Sequence, residues 1–193
     1  MVLWLLTIEV AVLAITGAIL YVAYVPTAAQ AFGPGFPEAE GAELAEFLRI
    51  VHRWAAWLAV ATALTGAALL AVRSHPVERA AQGRALGVAL VLAVATATYT
   101  GFLLPWDQIA LSVVTVGGNL SGYTWLRNEE ILFVVVDGRE VAASTLLKWL
   151  VVHVVVLGGA AVALLVLAWR HTLVLPAAHS AEVDAHVEAP SAA

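Results

Sequence analysis

Two histidines stand near one end of two separate apolar segments. His52 lies close to the start of the second such segment and His153 close to the start of the fourth. An ionisable side chain inside a segment of membrane-spanning length is a candidate for function. If both segments form helices that run in the same direction, the two imidazoles face each other at equal depth. Such a pair is the usual set of axial ligands for a low-spin b-type haem iron in a helical bundle. The alternative is that each histidine only hydrogen-bonds a neighbouring helix.

Basic residues accompany both histidines. Arg49 precedes His52 by three positions, and Lys148 precedes His153 by five. Cations at this level would pair with the two propionates of a haem. The alternative is that they snorkel to lipid headgroups, as basic residues at helix ends do.

Two glycines fall at about the same depth, near the ends of the first and third segments. A haem is a wide plate, and Gly17 and Gly101 would let the helix backbones approach it closely. The alternative is packing of helices through small residues, which is common in membranes. We therefore expect haem-iron ligation by His52 and His153, with Arg49, Lys148, Gly17 and Gly101 as further cofactor-binding residues.

Two other ionisable residues in the segments are weaker candidates. Glu9 is the single acid of the first segment, and we interpret it as a partly wet helix end, with a proton relay as the alternative. His171 follows His153 by 18 residues, five helical turns and about 27 Å along the axis, so it belongs to the far membrane surface.

Composition limits the class of protein. The 193 residues are 62% hydrophobic and 12% charged, about half the charge fraction of a soluble domain. The absence of cysteine excludes disulfides, Fe–S clusters, Cys-ligated zinc and thioether-linked haem. The net charge is -5 and the nine basic residues form no run, which makes nucleic acid an unsuitable partner.

Four apolar stretches are each close to the ~20 residues that a membrane-spanning helix needs. They cover residues 2–25, 50–72, 85–104 and 147–169. They predict an all-α, transmembrane four-helix bundle, and we assign it to residues 1–175. We interpret residues 107–120 as an interfacial helix within a long connection between helices three and four, and residues 176–193 as a disordered tail.

The connections differ in charge. The 26–48 connection carries four acids and no Lys or Arg before Arg49, whereas the 73–84 connection carries three arginines and one acid. The positive-inside rule then predicts that both termini and the basic connection are cytoplasmic.

Four stretches together resemble bacterial cytochrome b. They are TGAILYVAYVPTAAQAF (16–32), RIVHRWAAWLAV (49–60), TGFLLPWDQIA (100–110) and TLLKWLVVH (145–153). The third contains LPWDQ, the most specific of these motifs. Order, direction and loop lengths also agree with the N-terminal, haem-bearing half of cytochrome b and with the short cytochrome b6, over about residues 10–170.

The resemblance implies specific roles for the candidate residues. In that family the first histidines of helices two and four ligate the haem on the outer side, and these are His52 and His153. The family's paired glycines map to Gly17 and Gly101, its propionate-side arginine maps to Arg49, and Lys148 stands where Arg is usual. The resemblance also implies a bacterial inner (cytoplasmic) membrane, quinone or quinol, and partner subunits. These would be a C-terminal-half cytochrome b-like subunit, a Rieske Fe–S protein and a c-type cytochrome.

Departures from the family pattern affect the second haem. The family's inner histidines are replaced by Gly66 in helix two and by Leu167 or Ala168 in helix four. Leu3 stands where a second slim site would have glycine. The chain is therefore expected to hold one haem b, on the outer side, and not to carry out a full quinol cycle.

These observations predict a membrane-embedded b-type cytochrome subunit that carries electrons in a respiratory complex of the cytochrome bc type. It would not be catalytic alone. Two alternatives remain open: a membrane anchor and electron-transfer subunit of a periplasmic oxidoreductase, and a haem-free structural subunit of a membrane complex.

Overall fold

The structure is a computed structural model that describes residues 1–27, 30–31, 39–72, 77–108, 110 and 142–171. These residues form helices and turns, with no strand among them. The four long helices are α1 (Val2–Ala23), α2 (Ala39–Val72), α3 (Val77–Leu103) and α4 (Ala143–His171). The predicted interfacial helix and C-terminal tail fall largely outside the described residues.

Three of these helices are long and apolar enough to cross a membrane: α1, residues 81–103 of α3, and α4. The 34 residues of α2 reach about 51 Å, which exceeds the thickness of the hydrocarbon layer. Arg49, His52 and Arg53 lie within α2 and lower its hydropathy. The all-α bundle is confirmed, and the fourth crossing stays a prediction.

The helices pack in chain order, α1 on α2, α2 on α3 and α3 on α4. Trp169 of α4 connects the last helix to the first, because its Nε1 donates to Thr7 Oγ1 at 3.0 Å and its ring meets Trp4 edge-on. The bundle thus has two ends. The Trp169 end contains the start of α1, and the opposite end, called here the cavity end, contains the end of α1.

Apolar side chains fill the bundle toward the Trp169 end. The buried members of this core come from all four helices: Leu6, Ala59, Ala63, Leu90, Val94, Ala161 and Leu165. Gly66 belongs to this region, and a Cβ at that position would lie 3.2 Å from Val2 Cγ1. The place where the family pattern has an inner histidine is therefore occupied by a glycine with a valine packed against it.

A π-helical stretch, Val152–Gly158, interrupts α4 and begins one residue before His153. π-helical turns inside α-helices are often found at functional sites, because the extra residue reorients nearby side chains. The carbonyl of His153 lies 3.4 Å from where a Cβ of Gly158 would be, an ordinary contact distance. His153, the candidate ligand of α4, is thus the second residue of this π-helical stretch.

Candidate functional site

A cavity of about 160 Å³ lies between the four helices at the cavity end. Five of the six candidate site residues line it: Gly17, Arg49, His52, Gly101 and His153. They come from α1, α2, α3 and α4, so every helix contributes. The remaining wall is mostly apolar and includes Leu20, Tyr21, Tyr24, Ala56, Phe102 and Leu150.

The two imidazoles lie opposite each other across the bundle. Their ring centroids are 6.3 Å apart and their planes are inclined by 62°. Because α2 and α4 run in the same direction, His52 and His153 reach the same depth from equivalent helix ends. The structure thus brings together the pair that the sequence predicts.

Each imidazole is held through Nδ1. Nδ1 of His153 lies 2.9 Å from the carbonyl oxygen of Ala97, and a carbonyl only accepts, so Nδ1 carries the proton. Nδ1 of His52 lies 2.8 Å from Thr16 Oγ1, whose own hydroxyl is 2.7 Å from the Val12 carbonyl and donates there. Both histidines then keep a lone pair on Nε2, and this is the tautomer that can bind a metal.

Glycines make room for both rings. A Cβ at Gly17 would lie 3.2 Å from Cε1 of His52, and one at Gly101 would lie 3.0 Å from Cε1 of His153. Both distances are tighter than ordinary van der Waals contact. The two glycines therefore contact the histidines themselves, whereas the sequence suggested contact with a cofactor plate.

Thr16 and Thr100 are site residues that the sequence analysis missed. Thr100 Oγ1 lies 3.1 Å from Nδ1 of His153, as Thr16 Oγ1 does from His52 at 2.8 Å. Each threonine directly precedes a site glycine, but Thr65-Gly66 has the same dipeptide away from the cavity, so the dipeptide alone does not identify the two site threonines. We call Thr16-Gly17 and Thr100-Gly101 the Thr-Gly pairs.

Two arginines line the α2 wall of the cavity. Arg49 and Arg53 are one helical turn apart on α2 and both line the cavity. Arg49 interacts electrostatically with Glu46 and Asp107, and Arg53 Cζ lies 5.8 Å from the centroid of the Phe102 ring. Lys148 does not line the cavity, and its Nζ lies 5.4 Å from the ring centroid of Trp149.

The LPWDQ motif forms a tight turn at the end of α3. Trp106 adopts a left-handed backbone conformation with φ 48°, which is uncommon for a residue with a Cβ. Asp107 Oδ1 then accepts a hydrogen bond from the Ala110 amide at 2.9 Å. Ala110 is fully buried, and the Asp107 carboxylate interacts electrostatically with Arg49.

A hydrogen bond from Tyr24, at the end of α1, connects α1 to this turn. The Tyr24 hydroxyl donates to the Leu104 carbonyl at 2.7 Å, and burial raises the pKa of Tyr24 to about 12. The phenol therefore stays a donor at any physiological pH. This hydrogen bond joins the ends of α1 and α3 on either side of the cavity mouth.

Comparison with protein families gives a match to the model described as cytochrome b/b6/petB over residues 2–177. This chain belongs to the cytochrome b family. Comparison with curated proteins gives no match. As a family member the chain is a membrane b-type cytochrome, and the family implies haem binding, electron transport and membership of a membrane complex.

In the part of the chain that the structure describes, the cavity brings two histidines face to face. Among the described residues no group of three or more His, Cys, Asp or Glu side chains converges on a metal-sized space. A haem needs only two protein ligands, since its porphyrin supplies four nitrogens. The pair His52 and His153 meets that requirement.

Proposed function

We propose that this cytochrome b holds one haem b at the cavity end, with His52 and His153 as axial ligands. Its role would be to carry electrons in a membrane quinol-oxidising complex of the cytochrome bc type. The observation that carries the proposal is the opposed pair of imidazoles, each fixed through Nδ1 on the wall of one cavity. When bound, the haem would accept and release one electron at a time.

The separation of the two rings supports ligation of one metal. With a metal–nitrogen bond of about 2.0 Å and a nitrogen about 1.1 Å from its ring centroid, two opposed imidazoles have centroids roughly 6.2 Å apart. The observed distance is 6.3 Å. The enclosed volume of about 160 Å³ is smaller than a typical ligand pocket, so binding of a porphyrin would require cavity-wall side chains to move outward.

The chain's own residues would orient the cofactor. Thr16 and the Ala97 carbonyl would hold the two imidazoles in one tautomer, and the Thr-Gly pairs would restrict the rotation of both rings. Arg49 and Arg53 provide cations for the propionates, and Lys148 is a further cation near the same end of the bundle. The mostly apolar wall would limit contact of the bound cofactor with water.

A single haem is supported by the packing at the Trp169 end. There the core from Leu6 to Leu165 fills the bundle interior, and Val2 packs against Gly66. A porphyrin at that level would have to displace buried side chains of all four helices. One haem at one end does not carry electrons across the membrane alone, so partner subunits are required.

The proposed partners are a C-terminal-half cytochrome b-like subunit, a Rieske Fe–S protein and a c-type cytochrome, with quinol as the reductant. The proposed location is the bacterial inner membrane, with both termini cytoplasmic and the haem toward the outer side. The LPWDQ turn beside Arg49 lies where the family begins its quinol pocket, which supports this placement. We expect the isolated chain not to oxidise quinol, and to gain that activity only with its partners.

Two alternative functions are distinguished by the haem content of the protein and by its partners. A periplasmic-oxidoreductase anchor would hold the same haem with different partners, and a structural subunit would hold none. The haem content of the purified protein is measured by the pyridine haemochrome method. We expect one haem per chain, lost in His52→Ala and in His153→Ala but kept in the control His171→Ala. A ratio of zero would establish the structural subunit, and a ratio of two would refute the single-haem proposal.

A further inference from the structure

Glu9 is a carboxyl group buried within a membrane-spanning helix. Its side chain is 8% exposed, which corrects the interpretation of Glu9 as a wet helix end. Oε1 accepts a hydrogen bond from Thr62 Oγ1 of α2 at 2.9 Å. Oε2 is buried and has no hydrogen-bond partner among the described residues. A carboxylate with one unsatisfied oxygen in an apolar environment is costly, whereas a protonated carboxyl is tolerated.

No other ionisable side chain shares this level of the bundle. Residues 54–72 of α2, 85–98 of α3 and 154–169 of α4 contain none, and Glu9 is the one such residue in the first 20 of the chain. The nearest titratable or charged groups lie beyond these stretches, at the two ends. They are His52, Arg53, Tyr99 and His153 toward the cavity, and Arg84, Arg170, His171 and the N-terminus toward the other end. The charge of Glu9 therefore has no local counter-ion.

The carboxyl is also close to the cofactor cavity. Glu9 lies seven positions before Thr16 on α1, a rise of about 10 Å, and Thr16 contacts His52 directly. A unit charge about 10 Å away, in a medium of effective dielectric constant about 20, changes the proton affinity of a carboxyl on the order of tenfold, and an electron beyond His52 acts at most this strongly. Because coupling between two binding events is reciprocal, the proton also changes the affinity for the electron.

We infer that Glu9 is a proton-binding site whose occupancy is coupled to reduction of the haem at His52 and His153. This inference rests on the proposed haem. Glu9 takes up one proton from the aqueous phase when one electron arrives from a one-electron donor. One O–H bond forms on the carboxylate, and the added negative charge in the bundle is neutralised. On reoxidation the same proton returns to water.

The sign of the pH dependence follows. Reduction raises the proton affinity of Glu9, so the reduced protein keeps the proton up to a higher pH than the oxidised protein does. In the pH window where only the reduced protein holds the proton, the midpoint potential falls as pH rises, and outside that window it is constant. Thr62 donates to the carboxylate and favours the ionised form, so its removal shifts the window to higher pH.

The test is redox titration of the purified haem-loaded protein over a range of pH, with the haem absorbance as readout. We expect the wild-type potential to fall with pH, Glu9→Gln to flatten that dependence, and Thr62→Val to move it to higher pH. Glu43→Gln, at an exposed acid of α2, is the matched control and keeps the wild-type dependence. The reduced-minus-oxidised infrared spectrum should show a protonated-carboxyl band that Glu9→Gln lacks.

A haem spectrum like the wild type in Glu9→Gln shows that the variant is folded and loaded. Under that condition an unchanged pH dependence, or a wild-type potential independent of pH, would overturn the role of Glu9 while leaving the proposed haem intact. Absence of haem from the wild-type protein would instead refute the proposed function, and the coupling with it.

Discussion

Oγ1 of Thr16 lies 2.8 Å from Nδ1 of His52, and this contact joins α1 to α2 at the cavity. The same relationship recurs between Thr100 of α3 and His153 of α4 at 3.1 Å. In each case the residue after the threonine is a glycine that contacts the same ring. The Thr-Gly pairs thus contact both candidate ligands and restrict the rotation of their rings.

The first prediction concerns the threonine hydroxyls. Thr16→Val and Thr100→Val each remove a hydrogen bond to a buried imidazole nitrogen, at a cost of about 1 kcal/mol in the free energy of unfolding. We expect weaker haem retention and a shifted haem potential in both, measured by absorbance during thermal unfolding in detergent and by redox titration. Thr65→Val is the control, because the Thr65 hydroxyl is exposed and bonds only its own helix at Ala61. Equal effects of all three variants would contradict the prediction.

The second prediction concerns the glycines that contact the rings. Gly101→Ala places a methyl group 3.0 Å from Cε1 of His153, so the ring must move by a few tenths of an ångström. We expect a lower haem-to-protein ratio for Gly101→Ala and loss of haem for Gly101→Leu. Gly159→Ala is the matched control on α4, since a Cβ there meets nothing within 4 Å. That variant should keep its haem and gain stability of about 0.5–1 kcal/mol from helix propensity.

The third prediction concerns the role of the apolar core at the Trp169 end in stability. Leu165 is 6% exposed in the core at the Trp169 end, whereas Leu167 is 47% exposed on the outside of the same helix. Leu165→Ala should cost about 2–5 kcal/mol through lost contacts and a residual cavity, with one haem per chain retained. Leu167→Ala should change stability little. A second haem gained by Leu165→Ala would show that the packed end is a latent haem site.

The fourth prediction concerns orientation. By the positive-inside rule, the acidic 26–48 connection and the basic 73–84 connection predict that both termini are cytoplasmic. A reporter fused after Ala193 should be active only if it is of a type that works in the cytoplasm. Activity of a periplasmic-type reporter at that position would reverse the orientation and the side proposed for the haem.

Most of the architecture could be predicted because it follows from hydropathy and spacing. Apolar stretches of membrane-spanning length become helices, since lipid offers no partner for backbone polar groups. His52 and His153 could be paired because parallel helices place equivalent residues at equal depth. Glu9 could not be assigned in the same way, because its burial depends on Thr62, 53 positions further along the chain.

The sequence by itself determined the all-α fold, the four helices and the histidine pair, since each depends on residue type and position along one helix. Only the tertiary structure decided how the helix faces meet. It placed Thr16 and Thr100 on the imidazoles, directed Arg53 into the cavity and left Lys148 outside it. It also showed that Trp169 and the apolar core fill the opposite end. The physical reason is that hydropathy specifies which segments enter the membrane, whereas the rotation of each helix about its axis is set by packing against its neighbours.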